Sequence, residues 1–330
     1  MEAKRIGRAI ACLAVILATS IFCVGDVLAW NWGVHAYIDD NLGKGGPLRN
    51  LNEIYGGMAP DAFNLMFDHL DRLQYMYAQT HGFRDETNNE YDTFLKVWQV
   101  ARFRLGKAEA FGFVSHNDMW GADSTAHHHG ITFGKDDGYV ITKAKALVAD
   151  LQTQLGDLDI TLDDQIALEL CHNIVEAAVD ILLVQAHPNI GKKLASSAIL
   201  RSPEFPLLLV EAYAKDFAKQ FDIPYVEAVQ VILASEKQFR KNMVLYGQAL
   251  TQKPEIAIEL LAEILADQGV GYLTSVGISL PGGVTAEAFV PLAKGYIEAA
   301  MGLCEGDYEQ EIEATIDFVN EGLESHHISY

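Results

Sequence analysis

From residue 141 to the C-terminus apolar residues recur at three- and four-residue spacing, Ala, Leu, Ile, Glu and Gln dominate, and alternating runs are scarce. Periodicity of this kind gives each segment one apolar stripe to bury against its neighbours, which points to packed helices rather than a sheet. Thr161 followed three residues later by Asp164 marks a helix start and His187-Pro188 a stop, so one long helix is expected between them. Pro224, Pro254 and Pro281-Gly282-Gly283 separate further helices expected at about 205–220, 224–250, 254–267, 285–303 and 308–323. The fold class this predicts is all-α, a multi-helix bundle with additional C-terminal helices.

Residues 30–140 read differently. They are rich in His, Asp, Asn, Gly and Trp, with short apolar stretches broken by turns such as Gly43-Lys44-Gly45-Gly46-Pro47. Nine of the eleven histidines, His35, His69, His81, His116, His127, His128, His129, His172 and His187, precede residue 190, interleaved with Asp61, Asp118, Asp123 and Glu176. His, Asp and Glu with little Cys is the ligand set of catalytic zinc, whose open coordination positions hold water.

Three local patterns carry that ligand set. His172 and Glu176 stand four apart in the long helix, on one face and one turn apart, while Ile174, Ala178 and Ile181 fall on the opposite, core-facing side. The same spacing also suits an ordinary surface His-Glu pair. On a helix, offsets of seven and eleven return to within roughly 20° of the start, so His116, Asp123 and His127 would share a stripe that leaves out Asp118 and His129. Gly121 is the weak point, since it costs about 1 kcal/mol inside a helix and suits a loop. Of His127, His128 and His129, one or two are expected to bind metal. The third pattern is Pro60-Asp61, with Thr80-His81 twenty residues on and His69 competing with His81 as a ligand.

At the N-terminus Lys4, Arg5 and Arg8 precede an apolar run from Ala9 to Val24 and then Val27-Leu28-Ala29, the order of a secretory signal peptide cleaved before Trp30. The run is shorter than the roughly 20 residues a spanning helix needs. Removing residues 1–29 takes away those three basic residues and the acidic Glu2 and Asp26, moving the net charge from −21 to −22. So acidic a chain is a poor non-specific binder of nucleic-acid phosphates. Cys12 and Cys23 leave with the signal, and Cys171 and Cys304 remain able to form one disulfide. About 300 mature residues, half of the chain apolar, can bury a large core.

Taken in order, Trp30 with His35, Pro60-Asp61, Thr80-His81, Ser115-His116 with Ala122-Asp123 and His127, and His172 with Glu176 resemble the zinc-dependent phospholipase C family and its relatives, the single-strand nucleases. The resemblance runs from Trp30 to about Asp180. It implies a metal cluster of about three zinc ions in a cleft between helices: one held by the amino group and carbonyl of Trp30 with His35 and Asp123, a second by Asp61, His81, His116 and Asp123, a third by His127, His172 and Glu176. It also implies the choice of His81 over His69. The spacing departs from the family, whose aspartate follows the first His of this block by four residues, where Asp123 follows His116 by seven, so Asp118 stays an alternative.

The resemblance further implies a catalytic region over 30–190, with 191–330 a C-terminal helical region packing on it. Its activity would be phospholipase C-like phosphodiester hydrolysis by water that zinc activates, with Asp61 as the catalytic carboxylate. No Gly-x-Ser-x-Gly elbow argues for a serine hydrolase instead. Phospholipid or another phosphodiester is the expected substrate, with peripheral membrane contact; Trp98, Trp120, Phe111 and Phe113 could line an apolar rim for it, though taken singly each suits core packing better. The signal peptide places the protein in a secreted or periplasmic location. Nuclease action and a non-catalytic zinc-binding envelope module are the alternatives.

Overall fold

The computed structural model describes residues 30–330 apart from residues 44, 67, 86, 158, 159, 279 and 281–283. Residues 1–29, where the signal peptide is expected, with Cys12 and Cys23, and the Pro281-Gly282-Gly283 break lie outside the described residues.

The N-terminal half is a run of short helices: α1 (Trp32–Leu42), α2 (Pro47–Met58), a 3-10 helix (Ala59–Phe63) and α3 (Leu70–His81). There follow a strand pair, β1 (Phe83–Arg84) and β2 (Glu90–Tyr91), then α4 (Leu95–Val100), α5 (Arg104–His116), α6 (Ala122–His127), α7 (Tyr139–Lys145) and α8 (Val148–Gly156). The strands pair antiparallel, Phe83 opposite Tyr91, and are all the β-structure among the described residues.

The long helix is α9 (Asp164–Ala186). Its N-cap is Asp163, whose carboxylate accepts from the Ile166 amide at 2.8 Å. Beyond it come α10 (Ile190–Leu200), α11 (Phe205–Gln220), α12 (Tyr225–Leu250), α13 (Pro254–Ser275), α14 (Ala286–Cys304) and α15 (Tyr308–Ser325). The sequence pattern anticipates all of these but α10, which starts directly after His187-Pro188. It also ends α13 too early, because Leu273 packs into the core and carries the helix through Gly269. No helix among the described residues is long and apolar enough to cross a membrane.

Two packing arrangements place the site. Helices α2 and α5 cross closely because both contact faces are glycine: a Cβ at Gly112 would enter the backbone of Glu53 and Gly57, and one at Gly56 the backbone of Glu109. The buried helix α9 lies between α1, α7, α13 and α14. From it Asp180 reaches the start of α1, accepting from the amides of Gly33 at 2.9 Å and Val34 at 2.8 Å and from the Tyr246 hydroxyl at 2.8 Å. These are orphan donors of a helix N-terminus, so a carboxylate there both satisfies them and fixes where α1 begins. Cys171 and Cys304 are both buried free thiols, so the possible disulfide does not form.

The single helical stripe expected over residues 116–127 is corrected. Helix α5 ends at His116, and the chain turns through residues 117–121 before α6 begins. Asn117 builds the turn, its side-chain oxygen accepting from the amides of Met119, Trp120 and Gly121 at 2.8, 2.8 and 3.2 Å. A Cβ at Gly121 would press on the His116 carbonyl at 2.5 Å, which is why glycine marks a loop here.

Candidate metal centre

Each ligand candidate sits near the end of an element or on a buried face. His35 lies in α1, Asp61 in the 3-10 helix, His81 and His116 on the last residues of α3 and α5, Asp123 and His127 at the two ends of α6, and His172 and Glu176 inside α9. All eight are buried, none more than 4% exposed. The turn after His81 needs Gly82, whose φ is +88°.

The donor atoms fall into two sets. In the first, Asp123 presents one oxygen to His35 Nε2 at 3.1 Å and the other to His116 Nε2 at 2.9 Å and His81 Nε2 at 3.5 Å. Asp61 faces the same two imidazoles at 3.6 and 3.4 Å, and the Nε2 atoms of His81 and His116 are 3.0 Å apart. In the second, His127 Nε2 lies 3.0 Å from His172 Nε2, which lies 2.6 Å from Glu176. Donors bound at about 2.0–2.1 Å round a tetrahedral ion stand about 3.4 Å apart, so these separations suit a shared cation. His35 Nε2 and both Asp123 oxygens are buried without a hydrogen bond of acceptable geometry. Groups of that kind are normally partnered, and an ion is the missing partner that fits them.

The other ring nitrogens are held from outside. His116 Nδ1 donates to the Gly57 carbonyl at 2.6 Å, a contact the glycine-mediated crossing of α2 and α5 permits. His81 Nδ1 has the Thr80 hydroxyl at 2.9 Å and the Tyr77 carbonyl at 3.2 Å. With Nδ1–H committed outward, Nε2 offers its lone pair inward, as in metal-binding histidines. Asp61 is held by Trp32 Nε1 at 3.2 Å and Asn64 Nδ2 at 2.8 Å.

Charge accumulates where the donors meet. Burial works against the imidazolium of His116, yet Asp123 and Asp61 outweigh it and hold its pKa well above the ordinary histidine value. His127 is raised likewise, against burial, by Asp118 and Glu176, and His172 is pushed up to about 9, against burial, by Glu176 and Glu169. His35 goes the other way, lowered by burial and by the neighbouring His116. Asp61 and Asp123, although buried, stay below the usual carboxylate range because of His116 and its companions. A field that holds protons on buried imidazoles holds divalent cations by the same attraction.

Of the sequence-derived candidates, the eight side chains converge. His69 stands at the N-cap position of α3 without a side-chain capping bond and joins no cluster among the described residues, whereas His81 does. His128 and His129 are exposed; His128 stands 3.6 Å from Asp118 at the rim. Trp30 is fully buried, its ring stacked on Tyr139 and its Nε1 donating to Thr125 at 2.9 Å, and it lines one cleft with Asp61 and Glu176. Asp118 forms a further group with His127 and the exposed His128, their donor atoms close enough to share an ion. Its carboxylate stands 3.5 Å from His127 Nδ1 and accepts from the Tyr77 hydroxyl at 2.7 Å, while its amide donates to the His81 carbonyl at 3.0 Å. Sequence reasoning missed Asp180, whose signal was its place one turn beyond Glu176 on the same face of α9. Of the aromatics weighed between an apolar rim and core packing, Phe111 and Phe113 are core, Lys107 sits over Trp98, and Trp120 stacks on His326.

No family model, curated protein or solved structure matches the chain. The described residues form a near-all-helical bundle with no β-sheet core of the mixed α/β metallo-hydrolase kind. The assignment to the zinc-dependent phospholipase C family is therefore corrected, and the phospholipase C, phosphodiesterase and nuclease activities drawn from it are withdrawn. What stands is coarser: a helical bundle with buried His, Asp and Glu clusters able to hold metal ions.

Proposed function

We propose that this protein is a metal-dependent hydrolase, exported by way of a cleaved signal peptide, whose buried centre takes about three zinc ions. The observation that carries the reading is the convergence of buried Nε2 and carboxylate oxygen atoms at 2.9–3.6 Å, three of them without a hydrogen-bond partner, in the set built on Asp123. Imidazole and carboxylate donors without thiolate favour zinc in an open, catalytic setting. Asp61, His81, His116 and Asp123 would hold one ion, His127, His172 and Glu176 another, and His35 with Asp123 and the freed amino end of Trp30 a third.

Bound zinc would supply Lewis acidity and lower the pKa of water from about 16 to about 7. The protein's own groups do the rest. Asp61, ionised and aimed by Trp32 and Asn64, would orient water at the cleft or take its proton. His116, fixed by the Gly57 carbonyl, and His127, fixed by Asp118, keep their Nε2 atoms turned inward.

The test uses mature protein and a panel of activated esters and amides. Turnover should vanish with chelator and return with zinc alone. Turnover indifferent to chelation, or metal-free protein that takes up no zinc, would overturn the reading.

A further inference from the structure

The metal cleft has a neighbour. A second, larger cleft, about 920 Å³ counting the open solvent at its mouth, lies beside it between α8, α9, α13 and α14. The two adjoin, sharing Asn64, Leu65, Asn173, Leu265 and Gln268 in their walls, with carboxylates lining the one and hydrocarbon most of the other. The larger cleft is walled by Leu155, Leu170, Ile174, Leu273, Phe289 and Leu292, and Glu169 is its one carboxylate. Ile174 stands between His172 and Glu176 in sequence but points away from them, so a single turn of α9 serves both clefts.

Among the described residues no side chain fills this apolar cleft, although filling it would add stability. The walls it shares with the metal cleft point to what it is shaped for. We propose that it receives a straight, uncharged aliphatic arm of the substrate, so that the substrate is a small amphiphile whose hydrolysable polar bond lies beside Asp61 and Glu176. The inference rests on the metal-hydrolase reading for the bond that is cut, and on the cleft alone for the arm.

Gly269 provides the test without disturbing the core. It lies on α13 at the cleft wall, and a Cβ there would meet only Leu170 Cδ2, at an ordinary 3.6 Å. Replacing glycine inside a helix also favours the helix. The probes are straight-chain alkanols from butanol to dodecanol, titrated calorimetrically into zinc-loaded and chelated protein, beside hydrolysis of the matching series of acyl esters. Affinity should rise roughly fourfold per methylene and then level off when the cleft is full. Gly269→Leu should move that plateau to shorter chains while zinc content stays at the wild-type level, and Leu292→Asn should flatten the slope. Affinity independent of chain length, or a plateau unmoved in both variants, would overturn the arm assignment. The two readings fail separately. Chain-length-dependent alkanol binding with no zinc-dependent hydrolysis sinks the hydrolase and keeps the cleft; zinc-dependent hydrolysis blind to chain length sinks the cleft and keeps the hydrolase.

Discussion

The two donor sets differ in how the chain builds them. His172 and Glu176 come from one turn of one buried helix, and only His127 has to be brought to them. The set around Asp123 draws on α1, the 3-10 helix, α3, α5 and α6, so its geometry depends on helix crossings, the Gly57 carbonyl and the Asn117 turn. A site carried by one rigid element needs little support. A site assembled from five needs every one of its supports.

The largest difference should appear at Asp123, which faces three histidines with two oxygens. Asp123→Asn should release two ions of three and lower hydrolysis by more than about 100-fold, beyond the range for an outer partner. Metal content and turnover measured on one preparation check this; loss of a single ion would mean Asp123 does not bridge. His172→Ala or Glu176→Ala should each release one ion and leave the Asp123 set loaded. Full metal content in either variant would make the pair an ordinary buried His-Glu contact.

A smaller effect is expected at Asp118, which approaches His127 at Nδ1, 3.5 Å away, rather than at the inward Nε2. Asp118→Asn should weaken one ion by about 10–100-fold with the other two retained, read by competition with a chromophoric chelator. A greater loss than in Asp123→Asn would reverse their roles.

The smallest effect concerns support rather than ligands. Glu109, on the helix that carries His116, is fully buried, and burial pushes its pKa up to about 9 despite the Ser202 amide it accepts from. The folded protein therefore holds a proton there that the unfolded chain releases from about 4.5 upward. Stability from this group is present below pH 4.5 and is lost as pH rises towards 9. Glu109→Gln, neutral at every pH, should match the wild type near pH 4.5 and melt at least about 3 °C higher at pH 8. Parallel melting curves at both pH values would show that Glu109 is charged in the fold.

The same contrast governs what the sequence revealed. The all-helical class and the long C-terminal helices follow from apolar periodicity, because each stripe is local information. His172 with Glu176 was readable for the same reason. The Asp123 set was readable only as residue types in order: the helix expected over 116–127 breaks at Gly121, and Asp123 still reaches His116 because the turn folds α6 back on the end of α5. Asp118 could not be told from Asp123 by spacing, since the difference lies in which way a loop faces. The apolar cleft had no sequence signal at all. Leu170, Leu265 and Leu292 look like core residues in a sequence, and whether three helices close on them or leave a gap is decided by packing across more than a hundred residues.

The central claim is that the buried clusters are a multinuclear zinc centre. Elemental analysis of mature protein purified without chelator, its N-terminus sequenced as Trp-Asn-Trp-Gly-Val-His, tests it most directly. The account predicts about three zinc ions per chain, falling by one when a single residue is left in front of Trp30. Zinc absent, or at most one ion bound whatever the N-terminus, would contradict it.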